Sequence, residues 1–339
     1  MMNYYDLIMG TKESSFLTTF NKLWKKEIAS QNLPYTDATQ IKTGNRLRPL
    51  LMAWGYYANC SFENNLYIAD YAISIELLHK ASILLDDLID GDIARHERET
   101  FHIQYSEAEA LLYALYILNR SVVLMHEKDI NNQRLLTCTL LKIVDNMARG
   151  GIKEISFKNS TFNIVDAKEI IELETVSLIE NSFVLGYQLS ASTASSIPNP
   201  ILRIGHACGY CFQVLNDIEP FSAPHINQKY KGNINYDFEK HRKNIVISFL
   251  YGCCTKHERN ELKTTPNFEY ICNLVKKYDV LSTILTELET EILEIMQQTL
   301  YFKNSNLLFY NDFKKFITTM FNMCYKKCEL QFNKELFNN

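Results

Sequence analysis

Apolar side chains recur every three or four residues along most of this chain and rarely every second residue, which is the periodicity of amphipathic helices. Phe16, Phe20 and Leu23 form one such stripe, within a helix expected over residues 14–30. Pro49 suits the first turn of another. Further helices are expected from residue 65 into the acidic run at 86–90, over 106–127, and over 131–149, where Gly150-Gly151 closes the pattern. Asp166 followed by Glu169 reads as a capping box opening a helix that reaches Leu189. Ser196-Ile197-Pro198-Asn199-Pro200 is a break. The next helix spans 199–219 and Pro220 helps end it. After a long polar stretch, helices are expected over 238–251, 268–277, 280–299 and 312–338. No strand alternation of useful length, internal repeat or dividing linker interrupts this series. The expectation is an all-α protein, a single helical domain over residues 1–339.

Composition agrees with long helices: 11 Gly and 7 Pro are about half the usual share of breakers. The net charge of −4 gives no electrostatic argument for nucleic acid. No stretch approaches the ~18 apolar residues of a membrane span. The N-terminus lacks the basic-then-apolar order of a signal peptide. Nine cysteines, an odd number at irregular spacings, suit a reducing cytoplasm better than a disulfide framework. His206, Cys208 and Cys211 resemble half of a zinc site, but no second ligand pair lies at a plausible spacing. Cys324 and Cys328 read as packing residues of a terminal helix.

The chemistry concentrates in two clusters. Leu84-Leu85-Asp86-Asp87-Leu88-Ile89-Asp90 sets three carboxylates at the end of an apolar helix, with Asp86 and Asp90 on one face. A hard divalent cation such as Mg²⁺, bridging to diphosphate oxygens, would relieve their repulsion. Gln213, Asn216 and Asp217 share one face of a second helix, and polar groups there are costly to bury without partners. Two helices of a bundle placing these ends across one cavity would make a site. Basic residues form a third group. Arg46 and Arg48 stand near one helix start, Arg95 and Arg98 follow the first cluster, and Arg242 and Lys243 follow the second. Arginine binds phosphate oxygens in bidentate fashion.

Three segments together resemble the trans-isoprenyl diphosphate synthases, or polyprenyl synthetases. Gly44-Asn45-Arg46-Leu47-Arg48-Pro49 is similar to that family's GGKRLRP, the run Glu76 to Asp90 to its ELIH…DDxxD, and Phe212 to Asp217 to its FQxxDD. The resemblance implies an all-α bundle around a deep central cavity and a homodimer. By the same resemblance, Asp86, Asp87 and Asp90 would hold Mg²⁺ on an allylic diphosphate contacted by Arg95. Thr175 and Gln213 would face the developing carbocation. Asp217, with Asn216, would hold a further Mg²⁺. Arg48 and His79 would belong to the isopentenyl diphosphate site, to which His96 would add charge when protonated. Ala81 and Ser82 would form the cavity floor. Both are small, which implies a substrate or product of C20 or longer unless Leu111, Leu112 or Tyr113 plugs the cavity.

The departures from the family pattern are informative. Asn45 replaces its Lys, His96 an Arg, Glu174 the Lys of a Lys-Thr pair, and Pro220 the last Asp of the second cluster, with Glu219 one position away. Asn233 stands where a downstream Lys is usual, near Lys229 and Lys231, and Gly150 to Glu154 has lost a Gln. Three readings follow. One is condensation of the allylic cation with isopentenyl diphosphate. Another is the same ionisation followed by capture by an aromatic acceptor such as a peptide Trp, or by cyclisation. The third is a non-catalytic partner subunit.

Overall fold

With so few breakers the chain runs in long helices, and the computed structural model is built almost wholly from them. It describes residues 12–35, 38–60, 64–95, 98–129, 134–156, 163–190, 196–222, 244–264 and 267–332. In chain order the helices are α1 (Lys12–Ser30), α2 (Thr39–Lys42), α3 (Leu47–Tyr57) and α4 (Asn65–Asp90). A two-stranded hairpin follows, β1 (Ala94–Arg95) with β2 (Arg98–Glu99). Then come α5 (Phe101–Gln104), α6 (Glu107–Lys128), α7 (Leu135–Ser156), α8 (Ile164–Ile171), α9 (Ser177–Ser190) and α10 (Asn199–Ser222). The last five are α11 (Ile245–Cys253), α12 (Lys256–Thr264), α13 (Phe268–Lys277), α14 (Val280–Thr299) and α15 (Leu307–Lys327).

Several boundaries differ from those the pattern predicts. Helix α7 continues through Gly150-Gly151 to Ser156. Asn163, not Asp166, caps α8, its side chain accepting the Val165 N–H at 2.9 Å. A π-helical turn, Glu172–Val176, separates α8 from α9. Pro220 lies inside the last turn of α10, where its missing N–H removes only one helical bond. The polar helix α12 has no counterpart in the expectation. Helix α15 begins five residues earlier than expected and ends at Lys327. Residues 238–243 lie outside the described set.

The chain separates into two compact units. The first comprises Met1–Gly91, Glu99–Val144 and Leu178–Gly205; the second comprises Asp92–Arg98, Asp145–Ser177 and His206–Asn339. In the first unit α4 is the central helix, packed against α6, α1 and α3. Helices α3 and α9 touch backbone to backbone. A Cβ at Gly55 would lie 1.9 Å from the Phe183 carbonyl oxygen, and one at Gly186 would lie 1.9 Å from that of Met52. Helix α6 is long and apolar enough, by length and composition alone, to cross a membrane, unlike the expectation. Its Tyr113, Ala114 and Ile117 face the unit's interior, while Leu111, Leu112, Leu115 and Tyr116 are exposed. In the second unit α11 packs on α8, α13 and α14, and α15 packs on α14.

Candidate functional site

Helix α4 ends just after the first acidic run because Gly91 adopts a left-handed conformation (φ 62) and its N–H closes onto Asp87 and Leu88. Asp86, Asp87 and Asp90 therefore sit in the final turn, where the helix dipole is negative and adds to their mutual repulsion. Asp86 points outward, whereas Asp87 and Asp90 are only 0 % and 3 % exposed. Among the described residues, no three His, Cys, Asp or Glu side chains already stand in a metal-ligating arrangement. The donor set nevertheless fits Mg²⁺. It offers hard carboxylate oxygens one turn apart, in surroundings where an uncompensated charge is expensive.

Further back on α4, Glu76 is the hub of a buried ion cluster. Its carboxylate pairs with Arg46 and lies 3.7 Å from Lys80 Nζ. Arg46 also donates to the Lys42 carbonyl at 2.7 Å and lies over the Trp24 ring, 5.0 Å from its centroid. Lys80 donates to the Thr43 carbonyl at 2.5 Å. Together they staple the loop before α3 onto α4. The loop needs glycine at Gly44, whose φ is 135, and Arg46 itself has a left-handed φ of 55. Asn45 is committed locally, its Oδ1 accepting the Leu47 N–H at 3.2 Å. Arg48 is half-buried; loss of solvent around its guanidinium lowers its pKa to about 10, partly opposed by Glu76, so it remains charged at neutral pH. His79 is half-buried, one residue before Lys80. The Arg46–Glu76–Lys80 cluster was not foreseen. Its signal was an i, i+4 Glu–Lys pair within an otherwise apolar helix.

Ala81 is fully buried, and Ser82 donates its hydroxyl proton to the His79 carbonyl at 2.8 Å. Of the three side chains considered as plugs, Leu111 and Leu112 point outward. Tyr113 is buried, packs beside Phe101 and donates to Gln31 at 3.0 Å.

In the second unit the π-turn carries Glu174 and Thr175. Glu174 lies against the double glycine of α7; a Cβ on Gly150 would come within 2.5 Å of Glu174 Cγ. The Thr175 hydroxyl donates to Gln213 Oε1 at 2.8 Å, and Gln213 Nε2 donates to Asp217 Oδ1 at 2.7 Å. Asp217 Oδ2 accepts the Ile245 N–H at 2.8 Å, and Asn244 donates to the Asp217 carbonyl at 3.1 Å. Asn216 is half-exposed. Glu219 is buried and paired with Lys327 on α15. Arg95 is half-buried in β1. Burial holds the Cys208 thiol up at about 12 and the Cys324 thiol up at about 11, so both are neutral packing groups. His96, Lys229, Lys231, Asn233, Arg242 and Lys243 lie outside the described residues.

Against known families, residues 32–273 match the polyprenyl synthetase family. That match covers most of the chain. This chain belongs to the polyprenyl synthetase family. Its curated relatives are distant. A trans-prenyltransferase of African swine fever virus (strain Badajoz 1971 Vero-adapted) is 26 % identical over 196 residues, covering 53 % of this chain. This chain spans only 57 % of that viral protein. Heptaprenyl diphosphate synthase component 2 of Bacillus subtilis is 23 % identical over 266 residues, covering 75 % of this chain and 72 % of the relative. Among solved structures, heptaprenyl diphosphate synthase of Staphylococcus aureus superposes with a TM-score of 0.78 at 16 % identity, covering 93 % of this chain and 98 % of the other. A decaprenyl diphosphate synthase of Rhodobacter capsulatus gives 0.74 at 17 %, covering 90 % and 95 %. At such identities the superpositions establish the fold, an all-α isoprenyl-synthase architecture.

Proposed function

We propose that this family member is a Mg²⁺-dependent prenyltransferase that ionises an allylic isoprenyl diphosphate and condenses it with isopentenyl diphosphate. The observation carrying the reading is the end of α4, where the Gly91 stop leaves three hard carboxylates in a single dipole-negative turn. Asp86, Asp87 and Asp90 are the residues to hold Mg²⁺, which when bound would neutralise the leaving diphosphate and lower the barrier to C–O cleavage. Arg95 is proposed as a phosphate contact, and Thr175 and Gln213 as the polar lining of the cation. Arg48 and His79 are assigned to the isopentenyl diphosphate. In the reaction the allylic C–O bond breaks and the diphosphate leaves with the electron pair. The isopentenyl double bond then forms the new C–C bond, and a proton passes to the departed diphosphate. Ala81 and Ser82, small and at the proposed floor, favour a product of C20 or longer.

The exposed Leu111, Leu112, Leu115 and Tyr116 of α6 suit burial against a second copy, so a homodimer is the proposed assembly. A cytoplasmic location is proposed with it.

One observation favours a second reading, transfer to another acceptor. Asn45 is uncharged and its Oδ1 is taken by the Leu47 N–H, and Arg46 is held by Glu76, so the loop has lost one cation and a second is committed inside the protein. Asp87→Asn tests the first step. It should cut Mg²⁺-dependent diphosphate release from farnesyl diphosphate by roughly a hundredfold or more. Undiminished release would remove the first cluster from the mechanism. Release without isopentenyl diphosphate, with alcohol or hydrocarbon products, would favour the second reading.

A further inference from the structure

The second acidic cluster is built differently from the first. Both Asp217 oxygens already receive protein N–H groups, Oδ1 from Gln213 Nε2 at 2.7 Å and Oδ2 from the Ile245 backbone at 2.8 Å. The residue is 9 % exposed. Two of the carboxylate's roughly four lone-pair positions are thereby taken, part of its charge is answered by N–H dipoles, and burial limits the approach of a cation to the rest. Its acidic neighbour Glu219 is turned to Lys327. The residue also has a structural duty, its Oδ2 accepting the N–H of Ile245, the first residue of α11, and its backbone carbonyl accepting from Asn244. Asn244, which donates to the Asp217 carbonyl, caps α11 through the Val246 N–H at 2.8 Å, so Asp217 helps stitch α11 to α10.

An ionised carboxylate only accepts hydrogen bonds. Gln213 must therefore turn its NH₂ toward Asp217, which leaves its carbonyl oxygen toward Thr175. That oxygen takes the Thr175 hydroxyl proton. The Thr175 oxygen is thereby left with its lone pairs, and not its proton, for whatever lies beyond. If the amide were flipped, NH₂ would donate to Thr175 and the hydroxyl proton would point outward. That is the wrong polarity beside a developing carbocation. We infer that Asp217 is a positioning residue and not a metal ligand: it fixes the polarity of the Gln213–Thr175 relay, so that oxygen lone pairs are presented to the allylic cation. The inference rests on the prenyl-transfer reading for the identity of that cation.

The test uses the full-length protein. In Asp217→Asn the fixed Ile245 N–H claims the amide oxygen, and the new NH₂ faces Gln213 and flips it. We expect kcat to fall roughly tenfold to a hundredfold. The Mg²⁺ half-saturation, and calorimetric Mg²⁺-dependent binding of inorganic diphosphate, should not change. Adding Gln213→Glu to Asp217→Asn supplies an acceptor for both the new NH₂ and the Thr175 hydroxyl, and should restore most of kcat. Independently, Thr175→Val should make Asp217→Asn nearly cost-free in kcat, because the two act through one relay. The inference is overturned if Asp217→Asn raises the Mg²⁺ requirement and recovers at high Mg²⁺, if it weakens Mg²⁺–diphosphate binding, or if Gln213→Glu gives no rescue. If the wild type binds Mg²⁺–diphosphate but turns over no allylic substrate, the prenyl-transfer reading fails. The calorimetry still decides whether Asp217 is a ligand.

Discussion

The Glu258 carboxylate receives four hydrogen bonds. Oε2 accepts from the Thr255 N–H and hydroxyl and from Tyr278, and Oε1 accepts from Lys277, all at 2.7–2.8 Å. The Lys277 bond is the largest of several influences holding its pKa well below the usual carboxylate range. A depressed carboxylate contributes stability that is present above its unfolded pKa, about 4.3, and is lost as pH falls through the folded value. Thermal midpoints followed downward from pH 6 should therefore fall more steeply for the wild type than for Glu258→Gln; parallel curves would remove this role. Arg46 makes a second residue-scale prediction. Substituting Met would leave Glu76 buried without its main partner, a loss of about 3–5 kcal/mol. Urea unfolding of Arg46→Met measures it, and a change under about 1 kcal/mol would mean that Arg46 is not the clamp its geometry implies.

Among the elements, the contact of α3 with α9 has the least tolerance. A methyl group at Gly55 or Gly186 would lie inside the facing backbone carbonyl. Gly55→Ala should cost about 1–3 kcal/mol or more, seen as a lowered thermal midpoint. An unchanged midpoint would mean that the helices separate freely. Helices α13 and α14 were legible in the sequence to the residue. Asn267 caps one, and Asp279, at a left-handed φ of 48, starts the other. Other features were not legible, for physical reasons. Interior glycines cost a helix only about 1 kcal/mol each, so α7 passes through Gly150-Gly151, and their missing side chains make room for Glu174. The π-turn leaves the apolar spacing on either side intact. Helix α12 buries little beyond Glu258 and Leu262, so its pattern is faint. At the site, the residue types of both clusters were legible, and so was the shared helical face that lets Gln213 reach Asp217 from one turn earlier. That Arg46 is held by Glu76, Asp217 by Ile245 and Gln213 by Thr175 was not, because these are contacts between distant segments.

At the scale of the molecule, family membership and the all-α architecture agree with the motif-based reading. Small residues at the proposed floor would set the length of the product. Ala81 is fully buried on α4, and Tyr113 is the one considered plug that turns inward. Ala81→Phe should shorten the product by at least one isoprene unit, as chromatography of the dephosphorylated products would reveal. An unchanged length would place the floor elsewhere. The most direct test of the whole account is incubation of the protein with Mg²⁺, farnesyl diphosphate and labelled isopentenyl diphosphate, with the products resolved by chain length. The account predicts labelled allylic diphosphates of C20 or longer, absent when Mg²⁺ is chelated. Absence of label from any longer chain, from a protein that binds Mg²⁺ and diphosphate, would contradict it.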